Sequence, residues 1–136
     1  MKTYCLGFVV NPEQSEVALL HKRSSDLFNP SAWNGVGGKV EEGETPLQAI
    51  ARETHEETAL RVPPDRWRNL GVISDGQTFA VHVFAAVSNL DGLFTNTDEV
   101  VARFSRLETQ SLPLAHGVQD ILRGWLAGEV LVIDEH

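Results

Sequence analysis

The hydrophobic positions near the start of the chain form two short runs separated by a polar turn. Residues 3–10 and 16–21 are largely β-branched or aliphatic, and the segment between them reads NPEQS. Apolar runs bounded by turn-forming residues are typical of strands, so this pattern predicts two early strands. Residues 24–35 predict a loop in which Trp33 is packed rather than exposed.

The hydrophobic period changes to that of a helix over residues 44–60. The stripe at spacings i, i+3, i+4 and i+7 is predicted to be buried and consists of Leu47, Ile50, Ala51 and Thr54. Thr45 and Gln48 fit a capping box, with Pro46 at the first helical position. A pair of prolines prevents the helix from continuing far past Leu60.

Strand-like patterns return after this helix. Residues 67–74 and 77–87 flank Asp75–Gly76, which predicts a two-residue hairpin turn. A further strand is predicted over 100–107, and helical spacing over 114–127 predicts a second helix. The last apolar run, VLVI, fits either a closing strand or a packed tail. Strands interrupted by two helices indicate an α/β fold with a mixed sheet and helices packed on it.

Composition narrows the classes of function. The 136 residues, 42% of them apolar, suit one globular domain over residues 1–136. A net charge of −8 argues against nucleic acids and anionic membranes as partners, and an anionic ligand would need a cation to mediate its binding. One cysteine cannot form an intrachain disulfide, and no run approaches the roughly 20 apolar residues of a membrane span. We therefore expect a cytoplasmic protein; the sequence leaves open whether it is a monomer or a homodimer.

Three glutamates share one face of the predicted helix. Glu53, Glu56 and Glu57 lie within about 100° of one another at the helical repeat. Arg52 can pair with Glu56, and Arg61 with Glu57, but Glu53 has no basic residue four positions away. Such a face is either simply solvated or holds Mg²⁺ or Mn²⁺, which prefer carboxylate oxygens. A divalent cation would remove the repulsion between the carboxylates.

A glycine-rich segment precedes the helix. Gly35, Gly37 and Gly38 let the backbone approach a ligand closely, and Lys39 offers a positive charge for a phosphate group. The spacing does not fit a Walker P-loop, because Trp33 occupies the position of its first glycine. Taken alone, this segment indicates only a turn.

Together, the glycines and the acidic helix resemble the Nudix box. Gly38 is followed after five residues by Glu44 and, after seven more, by RETHEETAL, which is residues 52–60. Ala59 stands where the family pattern has glycine, and Thr54 stands where it usually has an aliphatic residue. The resemblance implies an α/β/α sandwich with helices on both faces of a mixed sheet. It also implies a hydrolase that cleaves nucleoside diphosphates linked to another moiety.

The resemblance further implies a cation and its ligands. Mg²⁺ is the expected cofactor, and Mn²⁺ is expected to substitute for it. A backbone carbonyl of Gly37 or Gly38 is expected to complete a ligand set whose carboxylates are Glu53, Glu56 and Glu57.

Two further roles follow from the same resemblance. Arg52 is expected to pair with Glu44 and to orient a ligand carboxylate. The general base is either a glutamate of the box or a later acid. Asp98 and Glu99 are the later candidates, and we select Glu99.

The segment WNGVGGKVEEGET, with LLHKRS before it, looks most like oxidised-purine nucleoside triphosphate pyrophosphatases. Those enzymes release a nucleoside monophosphate and pyrophosphate. The similarity places Lys22 or Arg23 near the phosphate chain and Asn34 near the edge of the base. Phe28 and Trp33 are the candidates for stacking on the base.

Other functions stay open at this stage. ADP-ribose, dinucleoside polyphosphates and pterin triphosphates are alternative small-molecule substrates. A catalytically silent domain that senses a nucleotide is disfavoured, because all the glutamates of the box and Arg52 are retained. An isoprenoid diphosphate isomerase is disfavoured as well, because Cys5 lies in a predicted strand. The histidines show no spacing pattern and are taken as structural or surface residues, His116 among them.

Overall fold

The computed structural model describes residues 1–22, 32–95 and 99–133. Its strands are β1 (Lys2–Val10), β2 (Glu16–Lys22), β3 (Val36–Lys39), β4 (Arg68–Ser74), β5 (Phe79–Val87) and β6 (Glu99–Ser105). Its α-helices are α1 (Pro46–Thr58), α2 (Arg106–Gln110), α3 (Val118–Ile121) and α4 (Arg123–Leu126), with a 3₁₀ turn at Pro64–Arg66.

The strands form a mixed sheet in which two different strands, β2 and β3, pair with the same edge of β1. The main order is β4-β5-β1-β2-β6, with β1 parallel to β5 and the other pairs antiparallel. On its other edge, β1 pairs with β2 at Val9–Val10, whereas its first half, Tyr4–Gly7, pairs with β3. A cleft therefore opens where β2 leaves β1 and β3 takes its place.

Helices cover both faces of this sheet because side chains of β1 alternate between two hydrophobic clusters. Val9 packs in the cluster that contains Ile50 of α1. Phe8 packs in the opposite cluster with Leu122 and Trp125, and all five side chains are buried. The predicted α/β/α sandwich with a mixed sheet is thus confirmed.

The buried face of α1 differs in part from the predicted stripe. Ile50 and Thr54 are buried as expected, but Leu47 is 39% exposed and Ala51 is only partly buried. Ala49, absent from the predicted stripe, is fully buried. Successive residues differ by about 100° around the helix axis. The helix is therefore rotated so that the side of Ala49, rather than that of Leu47, faces the sheet.

The predicted helix over 114–127 is wrong in its first part. Trp33 N–H donates to the carbonyl of Pro113 and Ala115 N–H donates to the carbonyl of Trp33, each at 2.8 Å, so this segment is extended. Helix begins only after Gly117, whose φ of +86° turns the chain, and it is interrupted at Leu122. Long-range pairing with Trp33 has overridden the local helical period.

Two connections also differ from the expected turns. Val36–Lys39 is a strand, not a turn, because it pairs with β1 in register. The hairpin between β4 and β5 has a longer loop than two residues. Its conformation is fixed by the Asp75 carboxylate, which accepts backbone N–H groups of Gln77, Thr78 and Phe79.

The end of the described chain is a packed tail rather than a strand. The Gln14 side chain accepts the N–H groups of Leu131 and Val132 and donates to the carbonyl of Val132 at 2.9 Å. Val132 is buried. Across the described ranges, every helix is too short or too polar to cross a membrane.

Candidate active site

Local sequence places α1 firmly at its start. Thr45 accepts the N–H of Gln48 at 3.1 Å, and its own N–H donates to the Gln48 side chain at 2.8 Å, which confirms the capping box around Pro46. At the other end, Ala59 adopts φ +65° and donates its N–H to the carbonyl of His55 at 3.0 Å. This is a left-handed position, which explains why a glycine would suit it.

Arg52 lies at the centre of an ion-pair cluster on α1. Its guanidinium donates to both carboxylate oxygens of Glu44 at 2.8 and 3.0 Å, and to the Lys39 carbonyl at 3.2 Å. It also contacts Glu53 at 2.9 Å and Glu56 at 3.3 Å. The hydrogen bond from Arg52 lowers the pKa of Glu44 to about 2. These contacts tie the end of β3 and the loop after it to the helix; we refer to these side chains, Arg52 with Glu44, Glu53 and Glu56, as the Arg52 cluster.

Glu53 has a cationic partner in its immediate neighbour Arg52, although it has no basic residue four positions away. The pairing rule considers residues four positions apart, whereas the long Arg52 side chain folds back onto its immediate neighbour. Burial raises the pKa of Glu53, and the hydrogen bond from Arg52 opposes that rise. A Cβ atom at Gly38 would lie 2.7 Å from the Glu53 carboxylate, so only glycine allows this close approach.

Glu57 points towards the glycine segment and β6. Its carboxylate accepts the N–H of Gly37 at 3.0 Å and shares a hydrogen bond with Glu99, the first residue of β6. Burial, and then the Glu99 carboxylate, raise the pKa of Glu57 well above its usual range. The expected pair with Arg61 is not among the described ion pairs, because α1 ends at Thr58 and no longer carries Arg61 on its surface.

The oxygen donors of this site have the chemistry that suits a hard divalent cation, but their described side chains do not converge on one point. Within the described ranges, no three acidic, histidine or cysteine side chains converge on one point. Burial and the neighbouring Glu99 carboxyl group raise the pKa of Glu57, so a bound cation would favour the ionised form of this pair. The Glu53 carboxylate approaches the Cα side of Gly38 closely, so this carboxylate lies against the glycine strand. Carboxylate and carbonyl oxygens are the ligands that Mg²⁺ and Mn²⁺ prefer.

A cavity of about 500 Å³ lies at the cleft in the sheet. Glu57 and Glu99 line it together with the backbone of Gly37 and Gly38. Its remaining described wall is formed largely by apolar side chains of β1, β2, β4, β5 and the α3 region, which are Leu6, Leu20, Ile73, Phe79, Val81, Ala115 and Ile121. Tyr4, Asn34 and His116 add polar side chains to that wall.

The basic residues predicted to contact the substrate are not among the described lining of this cavity. Lys39 is exposed and does not line this cavity with its side chain, although its carbonyl binds Arg52. Lys22 pairs through its backbone with Glu99 across β2 and β6. Arg23 lies outside the described residues, as do Phe28 and Asp98.

Trp33 is packed, as the sequence predicted. Its ring meets Phe104 edge to face at 4.8 Å between centroids and lies 5.1 Å from the ring of His21. Sequence reasoning missed Tyr4, Phe79 and His116 as cavity residues. No short motif marks them, because they come from three segments that only the fold brings together.

Comparison with known proteins agrees with this geometry. The NUDIX domain family matches residues 1–124. The oxidized purine nucleoside triphosphate hydrolase of Mus musculus is 33% identical over 112 residues, which cover 79% of this chain and 67% of that protein. The Danio rerio protein of the same name is 38% identical over 78 residues, covering 54% of this chain but only 48% of its own length.

The fold is shared with solved structures as well. A MutT structure from work on the Aliivibrio salmonicida and Vibrio cholerae proteins superposes with a TM-score of 0.76 at 16% identity, covering 94% of this chain and 98% of that chain. The match over most of the chain, the sandwich fold and the acidic helix beside a glycine strand all agree. The chain therefore belongs to the Nudix family, as a hydrolase that acts on phosphoric anhydride bonds.

Proposed function

We propose that this hydrolase cleaves a nucleoside triphosphate to a nucleoside monophosphate and pyrophosphate, with an oxidised purine deoxynucleoside triphosphate as the first candidate substrate. The observation that carries the proposal is the carboxyl pair of Glu57 and Glu99 beside Gly37, inside a cavity large enough for a nucleotide. The single-domain organisation and the cytoplasmic location stay predictions.

Carboxylates can serve a reaction on an anionic substrate if they bind a cation that in turn binds the phosphate groups. A triphosphate repels nucleophiles, and a bound Mg²⁺ or Mn²⁺ would neutralise its oxygens and lower the pKa of a bound water. The residues proposed to hold that cation are Glu53, Glu56 and Glu57 with the carbonyl of Gly38. Arg52 would keep the Glu53 carboxylate oriented through its 2.9 Å contact.

Glu99 is the proposed general base. It begins β6 and meets Glu57 through their shared hydrogen bond, which places it at the cavity wall. In the proposed reaction, the water oxygen forms a bond to phosphorus while the bridging oxygen leaves with pyrophosphate. Glu99 accepts the proton that the water loses.

Two kinds of observation support this choice of substrate, one from related proteins and one from the cavity itself. Both curated relatives described above carry the name oxidized purine nucleoside triphosphate hydrolase. Within this chain, the largely apolar wall of the cavity suits a planar base, and Asn34 lies on that wall. We propose a free nucleotide, not a nucleic acid, as the partner of the site.

A panel of nucleotides with Mg²⁺ or Mn²⁺ tests the proposal. The expected result is release of pyrophosphate and a monophosphate from a triphosphate, fastest with an oxidised purine, and no turnover in excess chelator. Full activity in chelator would contradict the role of the cation. Fast cleavage of ADP-ribose without triphosphate turnover would change the substrate but keep the reaction class.

A further inference from the structure

The wall of the active-site cavity has two chemically different parts. Glu57 and Glu99 make one part acidic, beside the backbone of Gly37–Gly38. The rest is largely apolar, with side chains such as Leu6 and Phe79. If the phosphate chain binds at the acidic part, as the proposed function requires, the base contacts the apolar part.

Two polar side chains on the apolar part have unused hydrogen-bonding groups. The side-chain oxygen of Asn34 accepts the N–H of Gly35 at 2.8 Å, and its NH₂ group has no partner in the part of the chain that the structure describes. His116 is exposed and, among the described residues, makes no hydrogen bond or ion pair. Both nitrogens of its ring are therefore available to a ligand.

Backbone pairing holds these two side chains on neighbouring segments. Trp33 and Ala115 are joined by a 2.8 Å hydrogen bond, and Asn34 and His116 each follow directly along the chain. After His116, Gly117 adopts φ +86° and leads into α3. His116 thus lies between Ala115, whose backbone is paired with Trp33, and the start of α3.

We propose that His116 is a specificity-determining residue that binds the nucleotide base together with Asn34. The proposal rests on the proposed function for the placement of the phosphate chain. A neutral imidazole offers one donor and one acceptor, and the Asn34 amide adds a donor. The Asn34 amide can donate to a carbonyl oxygen while a ring nitrogen of His116 accepts the adjacent ring N–H, as in guanine and other keto bases; adenine presents its donor and acceptor in the reverse order.

A comparison of substrates with and without a base tests this role. The substrates are dGTP, dATP and 2-deoxyribose 5-triphosphate, which has no base. For His116→Ala, we expect kcat/KM for dGTP to fall about 5- to 10-fold, the size expected for one or two hydrogen bonds. Turnover of the base-free triphosphate should stay unchanged. His116→Gln, which keeps a donor and an acceptor, should recover most of the loss on dGTP.

Gln119→Ala is the matched control. Gln119 is an exposed α3 residue close to His116 in sequence, but it does not line this cavity, so its replacement should leave all three rates unchanged. An equal loss of rate on the base-free triphosphate, or no loss on dGTP, would overturn the assignment of His116.

Failure of the proposed function is distinguishable from failure of this inference. If the parent protein hydrolyses no triphosphate, calorimetric titration with dGMP and dAMP replaces the rate assay. Tighter binding of dGMP that is weakened by His116→Ala would then support the role of His116. Equal binding of both monophosphates, or binding insensitive to the substitution, would refute it.

Discussion

The acidic residues around α1 are stabilised in two different ways. In the Arg52 cluster, one guanidinium contacts three carboxylates, and its hydrogen bond lowers the pKa of Glu44 to about 2. Glu57 and Glu99 instead share a hydrogen bond with each other, and burial raises the pKa of Glu57. The first group has a cation of its own in Arg52, whose single charge leaves room for a bound cation at the proposed ligands Glu53 and Glu56. The second is a pair that gains most from a positive charge supplied by a ligand.

Among the substitutions that test this difference, Glu57→Gln should have the largest effect on turnover. Glutamine resembles the protonated acid, so it can still accept the N–H of Gly37 and donate to Glu99, but it is a poor ligand for a cation. We expect turnover to fall by orders of magnitude. In chelator, the melting temperature should equal that of the parent, whereas in Mg²⁺ only the parent should gain stability. Thermal melts with and without Mg²⁺, beside a turnover assay, measure both effects.

Glu53→Gln is the matched control for that experiment. Glu53 receives a charge-assisted hydrogen bond from Arg52, so its neutralisation should lower stability even in chelator. The sequence pattern alone, in which no basic residue lies four positions from Glu53, does not predict this loss. Identical melting of the two variants in chelator would mean that the two groups of acids do not differ as described.

Arg52→Ala removes the cation of the Arg52 cluster and should have the next largest effect. Turnover should fall by about 10- to 100-fold, as is typical when a residue that orients a ligand is lost. The protein should remain folded but lose about 1–3 kcal/mol of stability, since several charge-assisted hydrogen bonds disappear. Activity assays and urea unfolding measure the two effects.

Arg123→Ala provides the comparison for Arg52→Ala. Arg123 pairs with Asp120 on the surface, where both side chains are more than 70% exposed. An exposed pair contributes at most about 1 kcal/mol, so neither turnover nor stability should change appreciably. A similar loss for both arginine variants would show that Arg52 has no special role.

Glu44→Gln tests the Arg52 cluster through the pH dependence of the protein's stability. The pKa of Glu44 is lowered from 4.5 to about 2, so its contribution to stability is present above pH 4.5 and is lost as pH falls towards 2. The variant should be less stable than the parent at pH 6, and the difference should shrink on acidification. Urea midpoints between pH 6 and 3 measure this; a constant difference would contradict the ion pair with Arg52.

The well-predicted parts of the molecule are those fixed by near neighbours in sequence. Thr45, Pro46 and Gln48 define the start of α1 through contacts within one helical turn. The glutamates of the box follow from spacing on that helix. The rule of pairing at four residues missed the partner of Glu53, because the fold brings several carboxylates within reach of Arg52.

The poorly predicted parts depend on distant pairing. β3 has few apolar residues and forms only because β1 offers a partner edge. Leu114 and Ala115 follow a helical pattern but are extended beside Trp33. His116 consequently reaches the cavity wall, although its local sequence carries no sign of that position.

Ala59→Gly should have the smallest effect, at the turn that ends α1 just after Glu57. Ala59 adopts φ +65°, a conformation that costs a residue with a Cβ about 1–2 kcal/mol. Glycine removes that cost but gains about 0.4–1 kcal/mol of freedom in the unfolded chain, which leaves a net stabilisation of about 0.5–1 kcal/mol. Ala51→Gly, inside the same helix, should instead destabilise by about 1 kcal/mol. Urea unfolding of both variants in chelator tests this pair of opposite signs. Because the turn follows Glu57 without belonging to either acidic group, turnover of Ala59→Gly should match the parent; a destabilised Ala59→Gly would mean that the Ala59 methyl group contributes packing that outweighs its backbone strain.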